Sequence, residues 1–145
     1  MFTNDVNSTT FITMRNIQTL TDYVKNKFGS QTRIILSEQG FSSTNGQANQ
    51  AAAIALAYYK AACNPMIDAF IIRSYKDEAH EIALGLAMGL KDANGKKKTA
   101  YNIFANMDGS KSLKYTEKVL NSQAGNWKSQ VPGYSVRRIS SMYRK

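Results

Sequence analysis

One cysteine, one histidine and two prolines are all that the 145 residues contain of these types, and each scarcity excludes something. Cys63 alone cannot close an internal disulfide, and it says nothing firm about redox compartment. It falls late in an alanine-rich run, where a buried small thiol is expected rather than a nucleophile. His80 alone cannot assemble the three or four ligands that zinc takes, so neither a metal nor a cofactor is expected. No run of about 18 or more apolar residues occurs, so no helix is expected to cross a membrane and no membrane partner is expected. The start, Met1 to Asn7, is polar and lacks the basic-then-apolar order of a signal peptide. Phosphate-cradling and dinucleotide fingerprints are missing too. Gly85-Leu86-Ala87-Met88-Gly89 reads as a small-residue loop, without the strand-to-helix setting such a site needs. No nucleophile elbow is visible.

Acidic residues become scarce in the last third. Up to Leu90 seven Lys or Arg face seven Asp or Glu; from Lys91 onward twelve face three, and the net charge is +9. Such asymmetry fits a contact with an anionic polymer, and it fits a solvated C-terminal extension equally. The clusters Lys96-Lys97-Lys98 and Arg137-Arg138 are short and turn-bound, which favours the extension. Residues 1–120 are read as one unit and 121–145, where periodicity is lost, as a basic extension.

What is present is an alternation. Ile17, Leu20, Val24 and Phe28 recur at helical spacing, predicting a helix from about Thr10 to Phe28, closed by Lys25, Lys27 and Gly29. Arg33 to Ser37 is a short continuous apolar run, the pattern of a parallel strand buried on both faces. Gln39 to Gly46 is a loop. Gln47 to Ala62 is dense in alanine, the best helix former, and stops before Asn64-Pro65. Ala69 to Tyr75 predicts a second buried strand, Lys76 to about Leu90 a loop, Thr99 to Met107 a helix, and Ser112 to Leu120 one more. Beyond Asn121 no periodicity is visible. Helix, strand, helix, strand, helix describes an α/β protein with a parallel sheet. Two strands cannot close a barrel, which takes roughly eight strands and about 250 residues. The strands ask for neighbours, so the chain is expected to be a fragment, with a second copy completing the sheet as the alternative.

Glu38 stands at the C-terminal end of the first strand, where barrel enzymes place their active sites. By itself a carboxylate there is a loop group or cap more often than a catalyst. The string Arg33-Ile34-Ile35-Leu36-Ser37-Glu38-Gln39-Gly40-Phe41-Ser42, however, resembles the seventh strand of clan-A glycoside hydrolases, where a glutamate at the strand end is the nucleophile. Phe11-Ile12-Thr13-Met14-Arg15-Asn16-Ile17, the helix ending Tyr58-Tyr59-Lys60-Ala61-Ala62, and Ile67-Asp68-Ala69-Phe70-Ile71 resemble the C-terminal part of an uncharacterised bacterial family related to those barrels. The resemblance covers roughly residues 10 to 120. It implies an incomplete (β/α)8 barrel running from helix six to helix eight, including strands seven and eight. It implies a retaining glycosidase acting on a poly- or oligosaccharide, with Glu38 as nucleophile and no cofactor. The second carboxylic acid would lie about 5–5.5 Å away. In clan A it usually follows an asparagine at the end of strand four, yet no Asn-Glu pair occurs in this sequence. The acid is therefore expected upstream, with the remainder of the barrel, and this chain alone is expected to be inactive. An extracellular setting for the full-length protein is a further implication.

Asp77, Glu78 and Glu81 follow the second strand and, beside Lys76, are expected to be a solvated loop; none is assigned as the acid. His80 lies in the same loop and either touches sugar or packs locally. Phe41 and Tyr75 are candidate walls of a sugar subsite, and Arg73 is a similar case; aromatics at strand ends also serve as core. Phe41, Tyr75 and His80 are the candidate substrate contacts. Two other readings remain. One is a basic module holding an anionic polymer through Lys91 to Lys145, with an acidic polysaccharide ahead of nucleic acid, which is disfavoured. Tyr115, Trp127, Tyr134 and Tyr143 stand near its basic residues without regular interleaving. The other is a degenerate barrel that binds sugar without cleaving it.

Overall fold

The computed structural model describes Ser8 and residues 10–136. The polar start, Arg137-Arg138 and Tyr143 lie outside the described residues. The described residues form a mixed α/β protein with two parallel strands and five helices: α1 Ile17–Phe28, β1 Ile34–Gly40, α2 Gln47–Ala62, β2 Ile67–Arg73, α3 Ala79–Ala83, α4 Thr99–Met107 and α5 Ser112–Ala124. A short 3-10 turn, Trp127–Gln130, follows α5.

α2 is the central element, buried from Gln50 to Ala61 on all sides. Its alanines are what make that possible, because small side chains let neighbours approach the backbone from every direction. On one side lies the sheet with α1, where Met14, Ile17, Leu36, Ala57 and Ala61 form one cluster. On the other lie α4 and α5, where Ile54, Tyr59, Ile103, Leu120 and Trp127 belong to a larger one. Tyr59 donates or accepts through its hydroxyl with Ser112 Oγ at 3.1 Å and Thr116 Oγ1 at 2.7 Å, tying α2 to α5. Its ring stacks on Trp127 at 5.2 Å, and burial pushes its pKa up. Cys63 is buried at the end of α2, as its position in the sequence suggests. Lys60 is also buried, donating to the Arg15 carbonyl at 2.8 Å, and desolvation lowers its pKa to about 8.

Several local expectations need correction, among them the first strand, which runs on to Gly40 and takes in Gln39 and Gly40 from the expected loop. First, α1 begins at Ile17 rather than near Thr10. Asn16 competes for the preceding backbone: its Oδ1 accepts from Thr13 N at 2.9 Å, and its Nδ2 donates to the Ser8 and Phe11 carbonyls. A side-chain amide so placed favours a turn over helix. Second, β2 ends at Arg73 because its partner strand ends at Gly40; Ser74 and Tyr75 instead accept from the Leu90 and Lys91 amides. Third, the loop after β2 contains α3. Fourth, the strands are covered on one face only. Leu36 is buried toward α2, but Ile35 is 62% and Ile71 50% exposed.

Past α5, Trp127 and Val131 are buried in the larger cluster and Tyr134 packs against it. The described part of the basic C-terminal segment thus lies over α2 and α5 instead of standing free in water.

Candidate active site

Parallel strands bring their C-terminal ends together, and the register here pairs Gln39 with Ile72 and Gly40 with Arg73. Between Leu36 and Gln39 the register slips: Leu36 pairs with Phe70 and Gln39 with Ile72, so Ser37 and Glu38 together oppose Ile71. That is a β-bulge, which breaks the alternation of faces. Strict alternation would send Glu38 to the same side as buried Leu36. With the bulge both Ser37 and Glu38 are exposed.

Arg73 meets the freed carboxylate. Its Nη1 donates to Glu38 Oε1 at 2.5 Å, and its Nη2 forms a short contact with Glu81 Oε1 from α3. The hydrogen bond that Arg73 donates to Glu81, then the one it donates to Glu38, raises its pKa above the ordinary value. One guanidinium thus spans a 61% exposed carboxylate and a buried one, using the planar fork suited to two acceptors. Glu38 faces solvent at the strand ends while Glu81, 6% exposed, orients the arginine from behind.

A buried ion pair supports this rim. Asp77 Oδ2 and Lys98 Nζ lie 2.6 Å apart, both almost wholly out of water. Asp77 Oδ1 also accepts from Gly89 N, and Lys98 donates to Ser43 Oγ and the Ala87 carbonyl. Ser43 N and Oγ both reach the Ala87 carbonyl, and Ser42 Oγ reaches that of Gly85. Gln50 Nε2, from α2, donates to the carbonyls of Phe41, Met88 and Gly89. The loops after β1 and β2 are therefore fastened to each other and to the helix beneath them.

Asp77 and Glu81 consequently correct the expectation of a solvated acidic loop; only Glu78 of the three is exposed. Lys98 likewise leaves the basic cluster Lys96-Lys97-Lys98 for the interior. Both reversals have one cause. A charge is buried where an opposite charge and further hydrogen bonds meet it, and sequence neighbours do not reveal a partner 21 positions away. Arg73, considered beside the candidate subsite walls, gains its role from the register that pairs it with Gly40 and brings it within reach of Glu38.

The other candidates scatter. Phe41 is half-buried and packs against both clusters, so it serves the core. His80 is exposed on α3. Tyr75 is exposed at the rim, 6.5 Å from Tyr101 between ring centroids. Among the described residues no three His, Cys, Asp or Glu side chains group as metal ligands, and no helix is long and apolar enough to cross a membrane. A groove of about 610 Å³ opens along the outer edge of β2, between Tyr58, Phe70, Phe104 and Asp108; its lining includes neither Glu38 nor Arg73.

The sequence pattern of DUF5722, a family of unknown function, matches residues 2–129. The chain belongs to this family. The DUF5722 match takes in both strands, all five helices and most of the 3-10 turn that carries Trp127. No curated protein and no solved structure matches the chain.

Gly89 offers a direct test of how tightly this DUF5722 rim is built. A Cβ there would stand 2.3 Å from Asp77 N, 2.5 Å from Lys76 C and 2.6 Å from Lys91 O, all of them backbone. Gly89→Ala is expected to cost about 3 kcal/mol in a urea unfolding titration, at the upper end of ordinary overpacking. Gly95→Ala in the adjacent open turn provides a comparison without close neighbours, though its φ of +84° carries its own cost.

Proposed function

We propose that this DUF5722 chain is the C-terminal part of a (β/α)8-barrel glycoside hydrolase that works by retention, with Glu38 as nucleophile. The observation that carries the reading is the bulge at Ser37 and Glu38. It turns a carboxylate out of the core at the C-terminal end of a parallel strand, beside an arginine from the next strand. The bare sheet face bearing Ile35 and Ile71, with the free edge of β2, is the kind of surface that further barrel strands would cover.

In this reading Arg73, itself braced by Glu81, holds the Glu38 carboxylate ready for attack. Glu38 adds to the anomeric carbon as the bond to the leaving oxygen breaks. A carboxylic acid supplied by the rest of the barrel delivers a proton to that oxygen. The same group then takes a proton from water, which displaces Glu38 and regenerates the carboxylate. Glu81 is a positioning residue and not the acid, because it is buried behind Arg73 and bonded to it.

Covalent trapping tests the assignment. Activated 2-deoxy-2-fluoro glycosides of several ring configurations would be incubated with the full-length protein, since fluorine at C2 slows release of a glycosyl-enzyme. Trypsin cuts after Arg33 and Lys60, so the expected result is one added fluoroglycosyl mass on the peptide 34–60, localised to Glu38. Glycoside cleavage with the label on another carboxylate would remove Glu38 from the mechanism. Sugar binding with neither cleavage nor label would leave a barrel that holds sugar without hydrolysing it.

A further inference from the structure

Three lysines meet just beyond the end of β2. Isolated bridges pair Lys76 with Lys91 in parallel and Lys91 with Lys97 in antiparallel sense, which brings the three together on adjoining segments. Like charges set across a ladder repel one another. None of the three forms an ion pair with a carboxylate among the described residues, whereas Lys98, their neighbour, is committed to Asp77.

Two tyrosines complete the patch. Lys91 Nζ lies 4.5 Å from the Tyr75 ring centroid and 5.7 Å from that of Tyr101, and Lys97 Nζ lies 4.4 Å from Tyr101. The nearby Lys91 ammonium lowers the Tyr75 pKa from its ordinary value, as expected for a cation held beside the ring. Tyr75 is 60% exposed, so much of its apolar surface remains open to a ligand.

The location gives the patch its meaning. Tyr75 is two residues past Arg73, so their Cα atoms are at most ~7 Å apart, and the patch borders the arginine that grips Glu38. Unpaired ammonium groups ask for an anion, while tyrosine faces suit the apolar faces of sugar rings. We infer that Lys76, Lys91 and Lys97, with Tyr75 and Tyr101, form a subsite for carboxylated sugar units, making the substrate an acidic, uronate-bearing polysaccharide. The inference deepens the glycosidase reading and rests on it for the word substrate.

The test uses the full-length protein carrying Glu38→Gln, so that binding is read without cleavage. The probes are polygalacturonate oligomers, the same oligomers fully methyl-esterified, and a single-stranded oligothymidylate of matched length. Polygalacturonate should bind more tightly than its ester and lose affinity as salt is raised. Adding Lys91→Met and Lys97→Met should weaken polygalacturonate about tenfold and leave the ester unchanged; the melting curve should move little, since Lys97 is exposed and methionine retains the apolar stem of half-buried Lys91. Equal affinity for acid and ester, or no effect of the lysine changes, would overturn the subsite. Tighter oligothymidylate binding, lost with the same lysines, would overturn it in favour of a nucleic-acid surface. The two readings fail separately. Glycoside cleavage through Glu38 with no preference for acid sugars removes the subsite alone. Lysine-dependent uronate binding by a protein that cleaves no glycoside removes the nucleophile alone.

Discussion

Glu38→Gln in the full-length protein is expected to lower turnover of an aryl glycoside by about 10³-fold or more while leaving the fold intact. The amide keeps the size of the side chain and an oxygen that accepts from Arg73, but it cannot serve as the attacking oxyanion. Structural cost should be slight. The Glu38 side chain is 61% exposed, and an exposed ion pair contributes about 1 kcal/mol at most. Initial rates and a urea titration on the same preparation separate the two effects. Turnover equal to that of the parent would end the nucleophile assignment. Loss of turnover with an unfolding midpoint far below the parent would mean that Glu38 acts through the structure. Glu38→Asp gives a useful intermediate, since it retains the charge but withdraws it by one methylene.

The largest stability effect is expected from the buried pair beneath the rim. Asp77→Ala removes the carboxylate 2.6 Å from Lys98 Nζ and the acceptor for Gly89 N. It leaves an ammonium with only neutral oxygens, Ser43 Oγ and the Ala87 carbonyl, in a site almost closed to water. Losing one partner of such a pair costs about 3–5 kcal/mol, whereas replacing both by apolar groups of similar volume is often close to neutral. The double variant Asp77→Leu with Lys98→Met should therefore recover much of what Asp77→Ala loses. Against a total of about 5–15 kcal/mol for an ordinary domain, the single change would be plain in any unfolding curve. A loss under about 1 kcal/mol would mean that water reaches the pair in solution.

The elements of this chain were largely legible because each rests on local chemistry. Alanine density and Asn64-Pro65 bound α2 at both ends where the structure has them, Gln47 and Ala62. The apolar runs located both strands, with β1 continuing past Ser37 to Gly40, and β2 beginning two residues early and stopping where its neighbour stops. What sequence could not supply was pairing across distance. Asp77 and Lys98, Arg73 and Glu81, and Tyr59 with Ser112 and Thr116 each join residues whose own neighbours give no sign of the bond. Glu38 was readable as a residue near the C-terminal end of the strand, two positions short of Gly40 in the structure, while its pairing with Arg73 required the register of two parallel strands. The one-sided sheet was misread for a different reason. An apolar run records the surroundings a strand is suited to, and the described residues put no covering layer over Ile35 and Ile71.

The bulge at Ser37 and Glu38 gives this site an unusual genetic tolerance. Leu36 points to the core, so a residue placed directly after it points away from the core. A three-base deletion removing Ser37 would set Glu38 in that place, opposite Ile71, with Gln39 and Gly40 still paired to Ile72 and Arg73. Every residue assigned to the site would still be encoded, and the carboxylate would keep its outward aim. A search for related genes should therefore allow β1 to differ by one codon before Glu38.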